Sequence, residues 1–182
     1  MKKLKFYLRR IYRLALSTNK QEALVWNDLK NIHLDAGWNS GIYEKEKYID
    51  TIFQIAEGKG ESFLYMIYEG NYHCRVKILN DFPVDLTTEV FILAAHFNNL
   101  LTNGVVVVNV SNRYVEYQQK KDLLIPLLYT GVLYDQLIRH YNVSKDIYAA
   151  FQRLLIENES PAIIIADLLR DNDKKNAKNA DE

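Results

Sequence analysis

Residues 104–118 read GVVVVNVSNRYVEYQ, and the interpretation of this stretch decides the fold. Val105, Val106, Val107 and Val108 are branched at Cβ, which suits a pleated strand, and the lack of polar alternation implies burial. The stretch therefore predicts a buried β-hairpin whose first strand is central in its sheet. With Ser111-Asn112 as a two-residue turn, Val110 faces Arg113, Val108 faces Val115 and Val106 faces Tyr117. The opposite face pairs Asn109 with Tyr114, Val107 with Glu116 and Val105 with Gln118. One apolar and one mixed face is the pattern of a sheet covered by helices on one side.

Working outward, residues 62–79 predict another hairpin, turning at Gly70-Asn71. Ile67 then pairs with Cys74, Tyr65 with Val76 and Phe63 with Ile78, all apolar. The reverse face pairs Tyr68 with His73, Met66 with Arg75 and Leu64 with Lys77. That second face is apolar for a surface: it is either a groove for a partner or the bed of the N-terminal helix. Between the hairpins, Asn80-Asp81-Phe82-Pro83 is a turn. Asp85, Thr87 or Thr88 caps a helix to about Thr102, with Val90, Ala94, Phe97 and Leu101 as its inner stripe.

Upstream, Tyr48, Ile49, Ile52, Phe53, Ile55 and Ala56 recur at helical spacing, so residues 44–57 predict a helix ended by Gly58-Lys59-Gly60. Val25, Leu29 and Ile32 fit a short helix before the turn residues Asp35-Ala36-Gly37, and Trp26 and Trp38 are expected in the core. Downstream, residues 120–128 extend the second hairpin. Leu133, Leu137 and Tyr141 mark one helix, and Ser144 caps the next, whose Ile147, Phe151, Leu154 and Leu155 face inward. Ser160-Pro161 opens a last helix to about Arg170. The class is α+β, an antiparallel sheet of two hairpins packed by helices.

The chain of 182 residues suits one core: residues 1–18 as a basic amphipathic helix, 19–171 as a single α+β domain and 172–182 as a disordered tail. In the first segment Leu4, Leu8, Ile11 and Ala15 share one helical face, while Lys2, Lys5, Arg9 and Arg13 lie opposite. This helix either packs on the domain or meets a membrane surface or partner. Acidic and basic residues number 23 each, so no net field is present to hold nucleic acid. A single cysteine, Cys74, excludes an internal disulfide and points to the cytoplasm.

Catalytic chemistry has no visible support. His33, His73, His96 and His140 are scattered singletons without metal-ligand spacing, and no nucleophile elbow is present. Gly58-Lys59-Gly60-Glu61-Ser62 lacks the first glycine and the lysine-hydroxyl pair of a phosphate loop. Neither an enzyme nor a cofactor is expected. An enzyme would need a polar cleft assembled from distant residues.

HFNNLLTNG, VVVVNVSNRYVEYQ, KKDLLIPLLYTG and the ending ENESPAIIIADLL together resemble the bacterial sensory-transduction-regulator (YbjN-like) family, over about residues 85–169. The resemblance implies a fold like that of type III secretion chaperones, with helices on an antiparallel sheet of about five strands, often dimeric and without catalysis. It also implies binding of extended segments or helices of protein partners. The expected function is a non-enzymatic, chaperone-like or regulatory protein-binding module, a homodimer. The expected partner-binding residues are Leu64, Met66, Tyr68, His73 and Arg75. The alternative is a peripheral protein whose Lys2, Lys5, Arg9 and Arg13 make weak contact with anionic membranes.

Overall fold

A computed structural model describes residues 11–129 and 131–180, with side chains through Arg170. A helical turn at residues 11–14 leads into α1 (Thr18–Asp35), β1 (Ser40–Tyr43), β2 (Tyr48–Ala56), β3 (Lys59–Tyr68) and β4 (Asn71–Leu79). A 3-10 turn (Val84–Leu86) precedes α2 (Thr87–Leu100), β5 (Val105–Asn109), β6 (Tyr114–Asp122), α3 (Leu124–Leu128), α4 (Gly131–Ile156) and α5 (Pro161–Ala180). The strands form a six-stranded antiparallel sheet in the order β1-β2-β3-β4-β6-β5, so the fold is α+β. The chain divides into two compact units, Met1–Val76 with Gln118–Ser144, and Lys77–Tyr117 with Lys145–Glu182.

In the first unit, α1 buries Glu22, Val25, Trp26, Leu29 and His33, the three-and-four spacing of one helical stripe. Its end is a Schellman motif. Gly37 takes φ 66°, its N–H donates to Leu34 O at 3.1 Å, and the Trp38 N–H donates to His33 O at 3.2 Å. The His33 and Trp38 rings meet edge to face at 5.0 Å and add the apolar contact such a motif favours.

The helix expected over residues 44–57 is instead β2, paired with β1 on one side and β3 on the other. Its apolar residues fit both periods, but Ile49, Thr51 and Ile55 are buried, a period of two, and β-branching favours the strand. Glu57-Gly58 makes the turn into β3 rather than ending a helix.

The β3–β4 hairpin turns at Glu69-Gly70, not Gly70-Asn71. Both residues have positive φ, 48° and 69°, as a type I′ turn requires, and that turn matches the twist of the flanking strands. Tyr68 therefore pairs with Asn71, Met66 with His73, Tyr65 with Cys74 and Leu64 with Arg75. Each partner moves by two residues from the expected register, so every side chain keeps its expected face.

Glu22 of α1 ties two hairpin ends together. The Gly70 N–H donates to its Oε1 at 2.8 Å, and the Lys47 ammonium donates to its Oε2 at 3.0 Å. Lys47 lies between β1 and β2 at φ 51°, and its carbonyl accepts from the Ile67 N–H at 3.1 Å. Burial opposes ionisation of Glu22, but the Gly70 N–H and Lys47 together hold its pKa below the usual value.

In the second unit, α2 buries Val90, Leu93, Ala94 and Phe97, and Phe97 stacks on Phe151 at 6.3 Å. The valine strand β5 is not central but lies at the sheet edge, with Val106 buried and Val105 exposed. Asn98 of α2 takes the place of a neighbouring strand. Its Nδ2 donates to Val106 O at 3.0 Å and its Oδ1 accepts from the Val106 N–H at 2.7 Å. Arg153 binds Glu159 at 2.8 Å and Asp167 at 2.7 Å, clasping the connection from α4 to α5.

One expected break is absent. Helix α4 is continuous, and Ser144 donates to His140 O at 2.6 Å instead of capping a new helix. Its stripe of Leu133, Leu137, His140, Ser144, Ile147, Phe151 and Leu154 is buried without interruption at alternating four-and-three spacing. Helix α5 runs from Pro161 to Ala180.

Candidate functional site

The first unit has two unlike sheet faces. On the inner face, Phe63, Tyr65 and Ile67 of β3 and Tyr72, Cys74 and Val76 of β4 are buried. His33 of α1 lies 5.4 Å from the Tyr65 ring, and His140 of α4 lies 5.7 Å from the Phe63 ring, so both helices cover this side.

The outer face carries the residues expected to bind a partner. Strand pairing aligns Tyr43, Tyr48, Met66 and His73 in one row across β1 to β4, and Gly41, Asp50, Leu64 and Arg75 in the next. Leu64, Met66, His73 and Arg75 are half-buried, while Tyr68 is 59 % exposed. All five sequence-assigned residues therefore share this face, although Tyr68 stands opposite Asn71 instead of His73. The structure adds Tyr43 from β1, together with Tyr48 and Ile52 of β2, the strand that takes the place of the helix expected over residues 44–57. The alternation of Tyr48, Asp50, Ile52 and Gln54 with Ile49, Thr51, Phe53 and Ile55 is the signal that locates them.

These aromatic residues are ordered by contact. Tyr43 and Tyr48 stack at 4.2 Å with an interplanar angle of 13°. The ring of Tyr43 lies over Gly41, where an added Cβ would come within 3.1 Å of it. Ser62 donates to Asp50 beside Leu64. His73 has its pKa lowered, first by burial and then by the nearby Lys120, and its ring lies 6.3 Å from Tyr68. The arrangement is an apolar aromatic strip with Asp50, His73 and Arg75 set into it. The edge of the sheet at β1 has no strand beside it among the described residues.

The second predicted surface falls mostly outside the described residues, where Lys2, Lys5 and Arg9 lie. Arg13 is described, and it is not a solvated cation. It pairs with Asp28 at 3.1 Å and donates to Leu127 O at 3.4 Å.

Two other polar arrangements sit in this unit. His33 Nδ1 lies 3.1 Å from Ser40 Oγ and 3.0 Å from Thr51 Oγ1, and the two hydroxyls are 2.8 Å apart. Burial lowers the His33 pKa to about 4, so the ring is neutral at pH 7. One ring nitrogen is shared by two hydroxyls, and both His33 and Thr51 are buried, so the cluster fastens α1 to β1 and β2 within the core. Cys74 is fully buried, and burial pushes its thiol up to about 12, where it stays protonated at neutral pH. Among the described residues, no group of three or more His, Cys, Asp or Glu could hold a metal ion. No described helix is long and apolar enough to cross a membrane.

Comparison with protein-family models and with curated proteins gives no match to this chain.

Proposed function

We infer that this protein is a non-enzymatic protein-binding module, chaperone-like or regulatory, as the YbjN-like resemblance implies. The outer sheet face is its partner site. The observation that carries the reading is the pair of adjacent rows, Tyr43-Tyr48-Met66-His73 and Gly41-Asp50-Leu64-Arg75, on the sheet face opposite the buried Phe63, Tyr65 and Cys74. Tyrosines offer large contact area at low conformational cost, and a central methionine adapts to varied side chains. The partner is an extended segment that lays apolar side chains between these rows and pairs its main chain with the free edge of β1. Asp50 and Arg75 fix its orientation through polar contacts.

The test is affinity capture of the tagged chain from its native cell extract, in parallel with a Leu64→Asp/Met66→Asp variant. Both positions are only half-buried, so the variant should keep the native circular dichroism spectrum. A specific partner held by the native chain should be lost from the folded variant by at least tenfold, because two carboxylates would be desolvated in the contact. The same partner retained at the same level by the folded variant would end this assignment.

A further inference from the structure

Where the end of α1 meets β2 and α4, the first unit leaves a cavity of about 210 Å³ lined by Trp38, Phe53, Leu137, Ile138 and Tyr141. Leu137 is buried and the other four are half-buried, so the cavity has a closed floor and walls that solvent reaches. Its three rings stand at steep angles to one another: Trp38 meets Phe53 at 5.0 Å and 89°, and Phe53 meets Tyr141 at 5.5 Å and 60°. Each ring is held from behind. The Trp38 N–H closes the Schellman motif of α1 while its ring abuts His33, Phe53 packs on the buried Phe63 at 5.3 Å, and the Tyr141 hydroxyl donates to Gln54 O at 2.8 Å. The walls are therefore in place before anything enters. Phe53 alternates with the exposed Ile52 along β2, so the cavity lies on the side of the strand away from the outer sheet face.

The lining decides what fits. A cavity of about 210 Å³ is smaller than the roughly 300–1,000 Å³ of clefts that take drug-sized ligands, so its occupant is a compact group. The one hydroxyl on the lining side chains, that of Tyr141, already donates to Gln54, and a primary ammonium or an amide would give up its bonds to water without replacement. A methylated ammonium has no N–H to satisfy, and its charge, spread over the methyl groups, is attracted by the negative faces of aromatic rings. The surroundings carry the matching sign. Tyr134 stacks on Trp38 at 6.1 Å and opens an adjoining depression with Asp28, Asn31 and Asp35, and among the described residues no lysine or arginine lines either space. Arg13 neutralises Asp28, but Asp35 adds an exposed carboxylate at the last residue of α1, where the helix dipole is also negative. The His33 ring behind Trp38 is uncharged at pH 7 and does not oppose a cation there.

We propose that Trp38, Phe53 and Tyr141 form an aromatic cage for the trimethylammonium head of a free small molecule, with Leu137 and Ile138 against its methyl groups. The carboxylate of Asp35 near the rim favours a compound without an anionic group of its own, of which choline is the simplest probe. The outer sheet face takes no part, so a small cation and a protein partner occupy separate surfaces of the same unit.

The test is calorimetric titration of the full chain at constant ionic strength with choline chloride, with its uncharged isostere that has carbon in place of nitrogen, and with ethanolamine, which keeps the charge but bears N–H groups. Choline should bind saturably at a single site, and the isostere and ethanolamine should each bind about tenfold more weakly or worse, the first for want of charge and the second for want of acceptors. Tyr141→Phe keeps the ring and should bind choline within about twofold of the native chain, whereas Tyr141→Leu, with a native circular dichroism spectrum, should lose about fivefold or more. Three results would overturn the proposal: no saturable heat up to about 10 mM choline, equal affinity for choline and its uncharged isostere, or native affinity in folded Tyr141→Leu. A trimethyl-lysine peptide that binds about tenfold more tightly than choline would overturn the free molecule as the source and assign the cage to a modified protein.

Discussion

Replacing Glu22 by alanine tests how a single carboxylate holds the ends of two hairpins. Its Oε1 accepts from the Gly70 N–H and its Oε2 from Lys47, and only 12 % of the side chain is exposed. A hydrogen bond to a charged group contributes about 1.5–3 kcal/mol and a partly exposed ion pair about 0.5 kcal/mol, so Glu22→Ala should cost roughly 2–3 kcal/mol. Glu22→Gln keeps an acceptor for Gly70 while losing the charge and should cost about 1 kcal/mol. The measurement is urea unfolding at pH 7, followed by circular dichroism. The sign of the pH dependence follows from the lowered pKa. A carboxylate whose pKa falls on folding stabilises the native state above its unfolded pKa and loses that contribution as pH falls through the folded value. The native and Glu22→Ala stabilities should therefore converge in acid. Equal losses for alanine and glutamine, or a difference that widens in acid, would refute the clamp.

Other perturbations probe other parts of the fold. Asn98→Ala removes both bonds to the Val106 main chain and should cost about 2 kcal/mol in urea unfolding; sedimentation should also show self-association through the uncapped β5 edge. His33 has a folded pKa of about 4 against 6.5 unfolded, so the unfolded chain binds the proton first and stability falls as pH drops from about 6.5 towards 4, by roughly 3 kcal/mol. His33→Leu should flatten that part of the stability profile. Ser144→Ala should change stability by less than about 0.5 kcal/mol, because the hydroxyl only returns to a carbonyl within its own helix; the loss of about 1 kcal/mol that follows removal of an N-cap would contradict the continuous α4.

The sequence displays whatever depends on local chemistry. Asp35-Ala36-Gly37 marks the end of α1, and the faces of β3 and β4 follow from alternation even though the turn is displaced by one residue. The errors arise where a distant group determines the outcome. Thr51 interrupts the apolar inner row of β2, and its burial depends on His33 and Ser40, which no local pattern reveals. The valine run implies burial from both sides, yet β5 can lie at an edge because Asn98 arrives from α2 to satisfy Val106. Ser144 has the chemistry of a cap, but the unbroken apolar stripe on both sides of it outweighs that preference. The Tyr43-to-His73 row was only half visible, because two of its four members lie in the segment around the misread strand.

The two ends of the sheet are treated differently, and this bears on how the proposed partner would be held. At β5, the Asn98 amide occupies main-chain groups that another strand would use. At β1 no described strand occupies the free side, and the strand is limited to Ser40–Tyr43. A short edge restrains indiscriminate pairing. A partner held by main-chain bonds alone would gain few of them there, so specificity must come from side chains on the adjacent outer face. Tyr43 belongs to both features: its backbone lies in the edge strand and its ring covers Gly41 on the face. Gly41→Ala would place a methyl group 3.1 Å from that ring and move it while leaving the edge intact. Partner capture should then weaken if face and edge act together, and should remain unchanged if main-chain pairing alone holds the segment.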